Sequence, residues 1–478
     1  MSGLRLEVRA ARSSLVEEMA SGELGDQRLH ERRDRLIALL EQHPDAGFPD
    51  ACADDAEVEA LYRFLRNRRV SLPALLEPHL AATQARCGAL REVLVIHDTT
   101  DMVFAGETPR SGLATLGPDR QGFWVHAALA VSADGLRAPL GMLSLIPFVR
   151  TMQAPGTRKN ERARFEDPDK ESRQWRDGIA AVRTRCGDTI DAIHVMDRGA
   201  DSYELFAALM AQGDRFVVRL THDRRVVTDD GPAMLHDATA RTAVLCEQQV
   251  TIAPRRSGNR PLQARKKHPA REGRVATLQY AVQRLALQRP QGRQYAALPV
   301  TLAVQVVTVT EVAPPPGEEP VEWRLITTDP VETVDQVRRI VEWYRTRWMI
   351  EEFFKALKTG CAYEKRQLES LATLLVALAL LAPIAWQLLL LRHLARLAPD
   401  GVATAVLSPR QLQVLAAAPA GARLGPVPTL RAALLAIARL GGHLTQNGDP
   451  GWLVLGRGMQ KLLWMETGWA AAEDARRM

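Results

Sequence analysis

Residues 344–360 read "YRTRWMIEEFFKALKTG". Tyr344, Arg347, Glu351, Lys355 and Lys358 follow one another at steps of three, four, four and three residues. At about 100° per residue, that spacing predicts one helix with all five side chains on a single narrow face. Ile340, Trp343, Trp348, Met349, Phe353, Phe354 and Leu357 occupy much of the remaining circumference. An ordinary amphipathic helix has an apolar stripe and a broad charged face. Here a thin charged stripe runs along a mostly apolar rod. Two readings fit: a helix packed on most sides whose polar stripe lines a crevice, or ion pairs at i,i+4 on a solvated face.

The chain around this helix is large and globular in composition. Its 478 residues are 46% hydrophobic and 25% charged, enough for more than one domain and a sizeable core. A formal net charge of +6, carried mainly by Arg, permits a polyanionic partner without requiring one. Cys52, Cys87, Cys186, Cys246 and Cys361 are scattered and form no CxxC pair, so neither a zinc site nor a disulfide framework is expected. A reducing cytoplasm suits them, and the first residues, "MSGLRLEVRAARSSLVEE", lack the apolar core of a signal peptide. The uncharged run from Leu371 to Leu391 is long enough to span a bilayer. Thr373, Pro383 and Gln387 interrupt it, its flanks carry no charge asymmetry and it has no partner segment, so a buried helix and no membrane partner are expected.

Upstream, residues 1–90 read as polar helices. "ELGDQRLHERRDRLIALLEQH" places Arg28, Arg32 and Arg35 on one helix side, and "EVEALYRFLRNRRVSLPALL" adds Tyr62, Arg63, Phe64, Arg66, Arg68 and Arg69, with a break near Pro73. Arginine among aromatics suits a surface that grips a nucleic-acid backbone, and equally an ordinary charged helix surface. From "EVLVIHDTT" onward the texture is mixed. Three strand-like runs precede a polar segment from Pro155 to Glu171, a helix through Trp175 to Arg185, the strand "TIDAIHVMDRGAD", the helix "SYELFAALMAQG" and the strand "RFVVRL". This order predicts an α/β sheet with Asp98 and Asp197 at strand ends. Residues 221–325 read as a basic, β-rich insertion, and 371–478 as Ala/Leu-rich helices with a turn at "TQNGDPG". His97 and His194 read as local or core histidines and Asp201 as a helix N-cap.

Asp98 and Asp197 ending neighbouring strands, with Glu351 on a helix beside them, would make three hard oxygen donors suited to Mg2+ or Mn2+. Such ions can drive phosphodiester chemistry. Taken singly, each Asp also fits a turn or cap. No P-loop, HExxH or G-x-S-x-G motif occurs.

The 344–360 stretch also fits Y-x2-R-x3-E-x6-K, and through it the chain resembles the bacterial cut-and-paste DDE transposases of the IS-four insertion-sequence family. "ELGDQR", "YRFLRNRRV", "VIHDTT", "GFWVHAAL", "DRGAD", "RFVVRL" and "WRLITTDPV" occur in that family's order across most of residues 20–370. The resemblance implies an α/β, ribonuclease-H-like catalytic core (91–370) with its β-rich insertion. An N-terminal helical DNA-binding domain (1–90) and a C-terminal helical dimerisation domain (371–478) would flank it. It implies Asp98, Asp197 and Glu351 as catalytic metal ligands, with Mg2+ as cofactor, Mn2+ as substitute and no nucleotide cofactor. Tyr344, Arg347 and Lys358 would grip phosphates, with Lys355 beside them. Trp323 would stack on a flipped base, and Arg219, His222 and Arg224 would meet transposon DNA. Arg28, Arg32, Tyr62, Arg63 and Arg66 would serve end recognition. The partners implied are terminal inverted repeats, target DNA and a second copy of the chain, in the bacterial cytoplasm at the nucleoid. A quiet DNA-binding relative and a DDE nuclease without strand transfer remain alternatives. The chain departs from the family pattern at Gly456 and Met459, where tryptophans are common.

Overall fold

The computed structural model describes residues 15–20, 22–42, 54–106, 108–117, 119–150, 171–254, 270–418, 424–444, 446 and 448–477. Residues 155–170 of the polar segment expected at Pro155–Glu171, residues 255–269 within the insertion, Cys52, and Thr445 and Asn447 of the "TQNGDPG" turn lie outside them.

In chain order the helices and strands are α1 (Leu15–Ala20), α2 (Gln27–Gln42), α3 (Asp55–Leu65), α4 (Leu72–Gly88), β1 (Glu92–Ala105), β2 (Ala114–Gly117), β3 (Arg120–Ser132) and β4 (Pro139–Phe148). Next come α5 (Glu171–Cys186), β5 (Asp191–Met196), α6 (Tyr203–Ala211), β6 (Arg215–Arg219), β7 (Arg225–Thr228), β8 (Gly231–Met234), α7 (Leu235–Ala240) and β9 (Val244–Ile252). The last are β10 (Arg274–Gln288), β11 (Thr301–Glu311), β12 (Glu322–Thr327), α8 (Val334–Thr346), α9 (Trp348–Lys355), α10 (Leu371–Leu397), α11 (Pro409–Ala417), α12 (Leu430–Leu440) and α13 (Trp452–Arg477). The chain divides into two compact units. One comprises Met1–Lys159, Asp177–Asp191 and Trp348–Met478; the other comprises Asn160–Arg176 and Ala192–Arg347.

In the first unit, β1 and β3 pair antiparallel from Val93↔Ser132 to Ala105↔Arg120. The far edge of β3 takes β2 at its start and β4 along most of its length. β1 and β3 are Val-, Ile- and Ala-rich and buried on both faces along much of their length, as strands covered on two sides must be. The break expected near Pro73 falls just before it. The chain turns at Arg66–Val70, Ser71 caps α4, and Pro73 occupies its first turn, where its missing N–H costs nothing. The Leu371–Leu391 run lies in α10, and 94% of its most apolar window is buried inside the protein, as in the core helix of a globular domain. Trp386 on α10 donates its Nε1–H to the Pro139 carbonyl at 2.9 Å.

The expected single helix over 344–360 is three pieces: α8, α9, and a π-helical turn over Ala356–Gly360. A π turn holds more residues than an α turn, so Lys358 rotates away from the line set by Glu351 and Lys355. The π turn ends at a close approach. A Cβ on Gly456 of α13 would stand 2.0 Å from the Gly360 carbonyl oxygen, so a tryptophan has no room there. Met459, one turn on, is fully buried instead.

In the second unit, β5 and β6 are parallel, and β6, β12, β11 and β10 follow in antiparallel order, with β7 and β9 both on β10 and β8 on β7. The insertion is mainly β, as its alternation predicts, but it also contains α7.

Candidate functional site

Asp98 stands within β1, opposite Ala127, half-buried, with one carboxylate oxygen accepting the Thr99 N–H at 2.8 Å. The β1 strand runs on through Ala105, so Asp98 is mid-strand rather than at a strand end. Beneath it, His97 and His126 are buried; their rings lie 3.3 Å apart at Nδ1 and Nε2, and His126 meets the Thr99 hydroxyl at 2.9 Å. Burial pushes His126 down to about 3, so it is a neutral core residue. His194 is buried as well, so the core reading holds for both histidines.

Glu351 lies in the first turn of α9, half-buried, in the same unit as Asp98. The α9 helix packs on β1. Lys355 is exposed and bound to Glu352 at 2.6 Å. Glu352 is also met by Arg392 at 3.4 Å and by the Trp452 Nε1–H at 3.2 Å. Lys358 donates to the Asp101 carbonyl, with the Asp101 and Glu364 carboxylates at 3.3 and 3.4 Å.

Asp197 directly follows β5 in the second unit. It caps a short 3-10 turn, taking the Gly199 N–H at 2.7 Å. The same unit holds Arg219 at the end of β6, Trp323 on β12, and Tyr344 and Arg347 at the end of α8. Arg219 pairs opposite Leu325 and donates to the Glu322 carbonyl at 3.2 Å. The Trp323 and Tyr344 rings meet edge to face at 5.3 Å. Burial raises the Tyr344 phenol above its ordinary value, while the Arg347 and Arg219 guanidiniums pull it down and Asp197 pushes it up. Asp197, Arg219, Trp323, Tyr344 and Arg347 are thus neighbours. Arg347 and Tyr344 are buried, which excludes a solvated face for that half of the motif.

Asp201 does not cap α6. Ser202 holds that position, and Asp201 accepts the Thr221 and His222 N–H groups at 2.6 and 2.9 Å and pairs with Arg224. A carboxylate satisfied by three donors is better placed than at a single cap. His222 is exposed, while Arg224 is tied down against Asp201 and the Phe206 ring.

Among the N-terminal residues, Arg28 and Arg32 are exposed on α2. Arg63 pairs with Glu59 at 3.4 Å, and Arg66 with Glu369 at 3.3 Å while lying over the Tyr62 ring. Sequence reasoning missed two groups that join residues distant in the chain: Lys358 with Asp101 and Glu364, and a buried cluster of Glu18, His79 and Arg86. No local pattern signals either.

Residues 11–70 match the family model for transposase DNA-binding, and residues 169–386 match the model for the transposase DDE domain. The chain is a DDE transposase. Asp197, Glu351, Trp323 and the whole 344–360 stretch fall within the DDE match, whereas Asp98 lies between the two matches. The DDE domain implies a ribonuclease-H-like core in this mixed α/β fold. Among solved structures, the transposase is similar to a cryo-EM structure of a piggyBac transposase synaptic complex with hairpin DNA. Identity is 9%, covering 83% of this chain and 76% of that one, at a TM-score of 0.37.

DDE transposase domains generally depend on divalent metal ions. Asp98, Asp197 and Glu351 are hard oxygen donors of the right kind. Among the described residues, no three or more His, Cys, Asp or Glu side chains are gathered closely enough to hold a metal ion.

Proposed function

We propose that this DDE transposase is a cut-and-paste enzyme of the IS-four family, close to the Tn-five transposase. It would bind the terminal inverted repeats of its element and hydrolyse one strand to free a 3′-hydroxyl; that hydroxyl would attack the opposite strand to give a hairpin, a second hydrolysis would open it, and the freed 3′ ends would join target DNA. The observation that carries the reading is the DDE match across both Asp197 and Glu351, preceded by a transposase DNA-binding segment. The proposed boundaries are 1–90 for DNA binding, 91–370 for catalysis with an insertion at 221–325, and 371–478 for a homodimer contact. Cytoplasmic location follows from the substrate.

Asp98, Asp197 and Glu351 would hold the divalent metal, Mg2+ with Mn2+ as substitute. When bound, the metal activates a water or 3′-hydroxyl and stabilises the leaving oxygen. Arg347 and Tyr344, buried beside Asp197, are pre-set to grip a phosphate at low entropic cost. Trp323 presents its ring at the same place. In each step water or a DNA 3′-hydroxyl displaces a DNA oxygen from phosphorus, giving a terminal phosphate or a new phosphodiester, so no nucleotide is consumed.

The test is cleavage of duplexes carrying the repeats that flank the gene, with Mg2+. Asp98→Ala, Asp197→Ala and Glu351→Ala should each abolish nicking while retaining end binding. Near-native nicking by any one of them removes that residue from the site. Nicking and hairpins without joined product would favour a nuclease.

A further inference from the structure

The β1 strand has two edges. Gly106 donates its N–H to the Asp119 carbonyl, so even-numbered residues along this stretch of β1 face β3. The backbone groups of Asp101, Val103 and Ala105 therefore point to the opposite edge, and three side chains meet them there. Lys358 donates to the Asp101 carbonyl, Glu364 accepts the Val103 N–H at 3.0 Å, and Arg110 donates to the Ala105 carbonyl at 3.2 Å. Lys358 and Glu364 are themselves paired at 3.4 Å. One ammonium and one carboxylate thus satisfy a carbonyl and an N–H two residues apart, as a neighbouring strand would. Both belong to the segment that continues α9: Lys358 is in the π turn, and Glu364 in the 3-10 turn Tyr363–Lys365 beyond it.

The consequence is mechanical. Asp98 lies three residues before Asp101 on β1, and Glu351 lies seven residues before Lys358. The clasp ties the strand bearing one carboxylate to the element bearing the other, inside one compact unit. We propose that Glu364 is a positioning residue that sets the spacing of Asp98 and Glu351 by holding Lys358 and the β1 edge, an inference that rests on the DDE reading above. Lys358 then has two tasks. Its three N–H donors already face the Asp101 carbonyl, the Asp101 carboxylate and Glu364, so a phosphate arriving at Lys358 must displace one of them. The exposed Asp101 carboxylate, at 3.3 Å, is the contact that gives way.

The test uses the full chain and Mn2+ alone, followed by electron paramagnetic resonance. Support for metal ligands from neighbouring side chains is typically worth 10–100-fold in affinity, so Glu364→Ala should weaken Mn2+ binding by roughly that factor. Hydrogen exchange at the Val103 amide should accelerate in the same variant. Glu364→Gln keeps an acceptor for Val103 but loses the charge facing Lys358, and should weaken Mn2+ binding about threefold or more, yet less than Glu364→Ala. If Glu364→Ala does not fold, Glu364→Gln carries the comparison. Unchanged Mn2+ affinity in the folded variant overturns the proposal, even if its melting temperature falls. Asp98→Ala in the same titration separates the two levels. If it binds Mn2+ as the wild type does, the DDE assignment itself fails. If it loses Mn2+ and the Glu364 variants do not, only the clasp fails.

Discussion

Replacing Glu18 by Gln should destabilise the first unit by about 3 kcal/mol, the lower end of the ~3–5 kcal/mol cost of removing one partner from a buried ion pair. Glu18 on α1 is buried against α4. The His79 Nδ1–H donates to it at 2.6 Å and the Arg86 guanidinium at 2.7 Å. His79 Nε2 accepts the Met142 N–H at 3.1 Å, which fixes the neutral tautomer, and burial lowers its pKa. The compensating charge is therefore Arg86. Burial pushes the Glu18 carboxyl up, but His79 and Arg86 outweigh it and hold the group well below the usual carboxylate range. In Glu18→Gln the amide oxygen can serve one donor, and the amide NH2 then faces the other. Arg86 keeps the Leu140 carbonyl at 2.6 Å and the Trp386 ring at 4.3 Å, which argues for the lower end. With unfolding entropy near 2.1 cal/mol/K per residue and about 300 residues in the unit, ~3 kcal/mol lowers the melting temperature by ~5 °C. A folded pKa below the unfolded one gives stability that is complete above about pH 4.5 and lost as pH falls below it. The wild type should lose this increment on acidification and Glu18→Gln should not. Melting curves at pH 7 and below pH 4 check both. Replacing the pair together, Glu18→Leu with Arg86→Met, should recover part of the loss. A Glu18→Gln chain melting within ~1 °C of wild type at pH 7 refutes the reasoning.

Further outcomes follow from the site. Replacing exposed Arg28 and Arg32 by Ala should weaken end binding and flatten the log–log salt slope by roughly 0.9 per lost phosphate contact; titrations at several salt concentrations read this, and an unchanged slope moves recognition elsewhere. Trp323→Ala should spare end binding and first-strand nicking but slow hairpin formation, because stacking a flipped base is worth ~1–3 kcal/mol. An abasic nucleotide at that position should partly restore the rate in a gel time course. Equal slowing of nicking and hairpin formation, without rescue, leaves Trp323 as packing for Tyr344. Asp201→Asn should speed hydrogen exchange at the Thr221 and His222 amides, since it removes the charge that both groups and Arg224 share; protection equal to wild type rejects that anchor role.

The sequence by itself determined a good deal. Strand-like runs, cap residues and turn signals are local, and they located β1, β3, β4, β5, α6, β6 and the buried α10 because backbone preference and apolar periodicity act over a few residues. The motif order also singled out Tyr344, Arg347 and Glu351. What it could not carry was pairing across distance. Lys358 and Asp101 are 257 positions apart, Arg66 and Glu369 are 303 apart, and Glu18 meets Arg86 across 68. No spacing rule links them, because their contacts exist only once the sheet and helices have packed. Lys358 leaves its helical line in a π turn that ends where Gly360 meets Gly456, and Asp201, an expected cap, anchors the 221–224 loop instead. It also buried Tyr344 and Arg347. Residue type chose the chemistry available here, and tertiary packing decided which charges stay exposed and which face one another.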